Sequence, residues 1–86
     1  MATKKMRYNL IFRPEPEGGF TVMVPSLPGC ITYGRNLEEA RKNTLDAIKG
    51  YIASLIKHKE PIPSDEISLI TSLDFEIPSS KKLTYA

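Results

Sequence analysis

Hydrophobic and polar positions alternate in the first third of the chain, switch to a helical period, and alternate again near the end. Met6, Tyr8, Leu10 and Phe12 interleave with Arg7, Asn9, Ile11 and Arg13. That period of two sorts the side chains onto opposite faces of a strand over about residues 6–13. Pro14 and Pro16 close it, because proline cannot donate to a ladder. Glu17-Gly18-Gly19 supplies positive-φ positions for a reversal, so the next run returns antiparallel. In that run Phe20, Val22 and Val24 share one face, with Thr21 and Met23 on the other. A stiff bend, Pro25-Ser26-Leu27-Pro28-Gly29, leads to a third strand, Cys30-Ile31-Thr32-Tyr33, whose expected inward pair is Ile31 and Tyr33.

The period then changes. Asn36 is a good N-cap, with Glu39 placed three residues later to complete a capping box, and Glu38 and Glu39 suit the positive end of a helix. Leu37, Ala40, Thr44, Leu45, Ile48, Tyr51, Ile52, Leu55 and Ile56 give a broad apolar stripe. Gly50 inside it costs about 1 kcal/mol relative to alanine, and the expectation is a close approach of helix to sheet there. Pro61-Ile62-Pro63-Ser64 reads as an extended linker. A last strand is expected over residues 67–77, where Ile67, Leu69, Thr71, Leu73, Phe75 and Ile77 alternate with Ser68, Ile70, Ser72, Asp74 and Glu76.

The order βββαβ predicts an α+β domain. A three-stranded antiparallel meander has one helix across one face, which returns the last strand parallel to the first in the order 3-2-1-4. The domain covers 6–78, between a disordered end at 1–5 and a flexible tail at 79–86. The face away from the helix would carry Ile11, Thr21, Met23, Thr32 and Ile70. Ile11, Met23 and Ile70 on neighbouring strands form a candidate oligomer interface.

Composition narrows the function. Eighty-six residues make one domain, small enough that self-association or partner binding is a fair expectation. The net charge of +2 becomes −2 once Lys4, Lys5, Lys81 and Lys82 at the ends are set aside, and the remaining cations are dispersed among ten carboxylates. That pattern does not favour nucleic-acid binding. RNA recognition also needs exposed aromatic rings beside basic groups, whereas Tyr8, Phe12, Phe20 and Phe75 all fall on predicted inward faces. No apolar run approaches a membrane span, and a single cysteine agrees with a reducing, cytoplasmic setting.

Catalytic groups do not converge. His58, the lone histidine, stands at a charged helix end between Lys57 and Lys59, and Cys30 has no nearby base in sequence. One cysteine and one histidine cannot make a structural zinc site in one chain. The element order resembles the first part of the ribonuclease H fold, whose chemistry needs clustered carboxylates. Strand one has none, and Asp46, Asp74 and Glu76 lack a partner on a central strand. The expectation is no enzyme, no metal and no cofactor.

The ordered set Gly18-Gly19-Phe20, Val24-Pro25-Ser26-Leu27-Pro28-Gly29-Cys30, Gly34 with Asn36-Leu37-Glu38-Glu39-Ala40, Tyr51-Ile52 and Pro61-Ile62-Pro63 resembles HicB-type antitoxins. The resemblance spans Tyr8 to Pro63. It implies a partial ribonuclease H-like domain without catalytic carboxylates. Such a domain binds and inactivates a small HicA-type toxin, an mRNA-cleaving protein, and self-associates as a dimer or higher. Many members continue into a DNA-binding helix-turn-helix or ribbon-helix-helix. Here about nine residues follow the last strand, so DNA binding is not expected. The candidate toxin contacts are Glu15 and Glu17 in the first turn, Leu27, Pro28 and Gly29 in the bend, and Asp74 and Glu76 in the last strand. The alternative is a stand-alone oligomeric module of the same fold.

Overall fold

The computed structural model describes residues 3–65 and 69–79. Three strands, β1 (Ile11–Pro14), β2 (Phe20–Met23) and β3 (Ile31–Gly34), form an antiparallel meander, and one helix, α1 (Leu37–Lys57), lies across it. The class is α+β, as expected. β1 is shorter at its start than the alternation predicted. Residues 6–10 have no strand partner beyond the four-residue β2; of them Tyr8 and Leu10 pack on the core cluster of Val24, Leu27 and Cys30, and Asn9 donates its N–H to Asp65.

The first reversal forms as the glycines require. Gly18 and Gly19 have φ of 106° and 81°, in the left-handed region where a side chain is strained. Backbone bonds from Gly18 N to Glu15 O (2.9 Å) and from Glu15 N to Gly19 O (3.0 Å) close the turn. Beyond it the register pairs Ile11 with Met23 and Phe12 with Val22, and on the other side Met23 with Ile31 and Val22 with Thr32.

That register corrects β3. Ile31 and Tyr33 point away from the helix, 61% and 49% exposed. Thr32, expected on the open face, lies on the helix side, where its hydroxyl is 2.7 Å from that of Thr44. The reason is the closeness of α1. Gly34 is buried, and a Cβ there would stand 2.2 Å from the Ala40 nitrogen. Only small or hydrogen-bonding residues fit under the start of the helix, so the larger apolar pair turns outward. The close approach expected at Gly50 is therefore at Gly34; Gly50 is exposed with open space around it.

The helix begins as read. Asn36 Oδ1 accepts from Glu39 N at 2.8 Å, a cap worth about 1 kcal/mol. The reciprocal bond goes one residue earlier than a capping box places it, with Glu39 Oε1 accepting from Arg35 N (3.1 Å), while the Arg35 guanidinium grips the same carboxylate. Arg35 holds the Glu39 carboxyl below its usual range. The broad stripe divides in two. Ala40 and Thr44 are buried against the sheet, and Ala47, Ile48 and Tyr51 pack on the cluster of Val24, Leu27 and Cys30. Leu37, Leu45 and Ile56 remain exposed.

Among the described residues the last strand does not form: 69–79 are exposed and carry no ladder, so the described sheet has the order β1-β2-β3. Phe75, expected inward, is 77% exposed. Ile67 and Ser68, the start of the predicted strand, and 80–86, most of the predicted tail, lie outside the described residues.

Candidate interaction surface

The bend between β2 and β3 is locked from inside. Val24 N donates to Cys30 O (3.1 Å), Leu27 N to Val24 O (3.0 Å) and Cys30 N to Leu27 O (2.9 Å), with Gly29 at φ 82°. Leu27 is fully buried, which at about 1.5–3 kcal/mol for such a side chain pins the middle of the loop to the core. From the helix, Tyr51 donates its hydroxyl to Pro28 O at 2.9 Å. From the linker, Asp65 is buried and accepts both the Ser26 hydroxyl and, at 2.5 Å, the Asn9 N–H. Tyr8 donates to Pro63 O. Burial first, and then the nearby Asp65 carboxylate, raise the Tyr8 phenol above its ordinary value and keep it a donor.

This geometry sorts the predicted contact residues. Leu27 is a core anchor, not a contact; it fixes the shape in which Pro28 and Gly29 are displayed. Glu15 is engaged within the turn. Its carboxylate accepts from the Thr21 hydroxyl (2.6 Å) and Arg13 Nε (3.1 Å), and those two bonds lower its pKa. Glu17 is exposed beside it. The Glu15–Glu17 turn and the Pro25–Gly29 bend sit at opposite ends of the four-residue β2, about 13 Å apart at 3.3 Å per residue. Asp74 and Glu76 lie on the unpaired segment, outside the sheet. The structure therefore does not gather these residues into one patch.

The open face of the sheet does gather apolar groups. Ile11, Met23 and Ile31 stand side by side across three strands, and Tyr33 follows next to Thr21. Ile11 and Ile31 are exposed and Met23 is half-buried. Ile31 was missed because the alternation of β3 by itself cannot say which phase faces the helix; the pairing with Met23 decides it. Ile70, expected in this row, is exposed on the unpaired segment.

Reactive chemistry is sparse among the described residues. Cys30 is buried, and that burial pushes its thiol above the ordinary value, the reverse of an activated nucleophile. His58 stands at the helix end with Nδ1 2.8 Å from Ser54 O. No three His, Cys, Asp or Glu side chains gather as metal ligands, and no helix is long and apolar enough to cross a membrane.

Comparison with known proteins places this frame. Over 66 residues the chain is 46% identical to a UPF0150 protein of Thermoplasma acidophilum, covering 77% of this chain and 96% of that one. A UPF0150 protein of Synechocystis is 37% identical over 60 residues, 70% of this chain and 76% of its own. Antitoxin HicB 1 of Photorhabdus laumondii is also 37% identical over 60 residues, but there the match covers 70% of this chain and 39% of the longer protein. Residues 8–77 match the model of the HicB-like antitoxins of bacterial toxin–antitoxin systems, so the alternating strands, the locked bend and the capped helix belong to a member of that family.

Proposed function

We propose that this chain neutralises a small HicA-type mRNA-cleaving toxin by covering its surface, and that it is not itself an enzyme. The observation that carries this reading is the locked bend. Pro28 and Gly29 are held outward on a frame tied by three backbone bonds, Tyr51 and Asp65, and a preorganised loop loses little entropy on binding. The first turn adds an exposed carboxylate at Glu17, while Asp74 and Glu76 extend acidic character along the last segment. A basic toxin would be steered toward these groups. The setting is cytoplasmic, where mRNA is cleaved. Titration calorimetry against a HicA-type toxin, with RNA cleavage as the second readout, tests the reading. Binding heat and protected RNA are expected, both weakened by Pro28→Glu and Glu17→Lys. No heat together with unprotected RNA would remove it.

The second reading, an oligomeric module without a toxin, is favoured by the Ile11-Met23-Ile31 row. Sedimentation of Ile11→Glu and Met23→Glu beside wild type decides it. Variants that dissociate support that face, and unchanged variants sink it.

A further inference from the structure

Cations that lie far apart in the sequence meet at one place. A groove of 920 Å³ runs between α1 and the segment leading into β1, with Met6, Tyr8, Leu10, Leu45, Ile48 and Ile52 as its floor. Lys4, Lys5, Arg7, Arg41, Lys42 and Lys49 form its rim, and no carboxylate lines it. All six cations are exposed, and among the described residues none of them is in an ion pair; the pairs formed there are Arg13–Glu15 and Arg35–Glu39. Lys42 is near Glu39, but Arg35 already grips that carboxylate. The wall at residues 4–7 makes a further demand, because no described residue pairs its backbone with theirs.

We propose that this groove is a docking site for an acidic, extended segment of a partner protein other than the toxin. Alternate apolar side chains of that segment would rest on the floor, with its carboxylates among the rim cations. Each part of the groove selects one property of the occupant. The rim sets the charge: six cations without a carboxylate attract an anionic chain and repel a basic toxin, whose complement is the acidic surface around Glu17. The floor sets the side chains. It holds one aromatic ring, Tyr8, whose hydroxyl is committed to Pro63 O, so it suits leucine-like groups and not a row of stacked bases. The wall sets the backbone, since residues 4–7 can pair with a strand laid alongside them, which an acyl chain cannot do. The helix side, from Arg41 to Ile52, is about 17 Å long at 1.5 Å per residue. That takes about five residues of extended chain at 3.3 Å each.

The test uses full-length protein and no toxin, so its outcome is separate from that of the antitoxin reading. The probe is a fluorescent, end-blocked peptide, Leu-Glu-Leu-Glu-Leu-Glu-Leu, followed by anisotropy and by the methyl NMR shifts of Leu45, Ile48 and Ile52. Saturable binding that moves those methyls is expected, several-fold weaker at high salt, and the same peptide with lysine in place of glutamate should not bind. Leu45→Glu changes a side chain that is already half exposed, and Lys42→Glu/Lys49→Glu changes two exposed ones. Each variant should lose affinity at least several-fold with its helical circular dichroism intact. No saturable binding, binding that survives both variants, or equal binding of the lysine peptide would overturn the site. A wild type that does not bind, beside a Leu73→Asp/Phe75→Asp variant that does, would assign the groove to the chain's own arm, residues 69–77. An RNA oligonucleotide or decanoate that moves the same methyls where the peptide does not would assign it to nucleic acid or to an acyl anion.

Discussion

The bend at Val24–Cys30 and the segment at 69–79 are both short, apolar-rich and free of regular secondary structure, yet their surroundings differ completely. In the bend Val24, Leu27 and Cys30 are buried and every turn of the backbone is tied. In the segment all described residues are exposed. The difference is a matter of partners. The bend closes its own hydrogen bonds within the seven residues from Val24 to Cys30, whereas a strand can satisfy its backbone only against a neighbour. Apolar alternation is thus a demand for a ladder and not a guarantee of one.

The sharpest way to break this comparison is to truncate a leucine in each region. Leu27→Ala should cost about 2–5 kcal/mol in urea unfolding, whereas Leu73→Ala, measured at concentrations where the chain is monomeric, should change stability by less than about 0.5 kcal/mol. Equal effects would mean that the arm is packed. A glycine pair extends the test to the helix. Gly34→Ala drives a methyl into the Ala40 backbone and should destabilise by about 1–3 kcal/mol. Gly50→Ala, in open space on the helix, should stabilise by up to about 1 kcal/mol. Opposite signs in thermal midpoint are the outcome to look for. Asn36→Ala, which deletes the bond to Glu39 N, should cost about 1 kcal/mol.

The smallest effect concerns pH. The Glu15 carboxyl titrates below its ordinary value of 4.5 because Thr21 and then Arg13 hydrogen-bond its charged form. A carboxyl lowered on folding adds stability above its unfolded value and loses it as pH falls through the folded one. The melting temperature should therefore decline below pH 4.5, and Glu15→Gln should flatten that decline slightly. A variant with an unaltered acid profile would show that the turn network contributes nothing to stability.

Local chemistry carried most of the fold. The Gly18-Gly19 reversal, the inward Val22 and Val24, and the Asn36 cap are each set within a few residues, and each stands where the sequence pattern placed it. The site was less legible. Leu27 read as a display residue because it lies between prolines in a loop, and nothing local says that the loop folds back onto Tyr51 and Ile48. Lys4 and Lys5 read as terminal, and Arg7, Arg41, Lys42 and Lys49 as dispersed, because the groove draws its cations from two distant stretches, residues 4–7 and 41–49.

What the residues by themselves determined is the three-stranded meander with its turns, the capped helix and the family, since propensity, capping and positive-φ turns act over short range. Tertiary structure alone decided which phase of β3 meets the helix, because register is inherited from β2 and the space from Gly34 against Ala40. It alone decided, too, that 69–79 has no ladder in the single chain, because a strand exists only where another backbone lies within hydrogen-bonding distance.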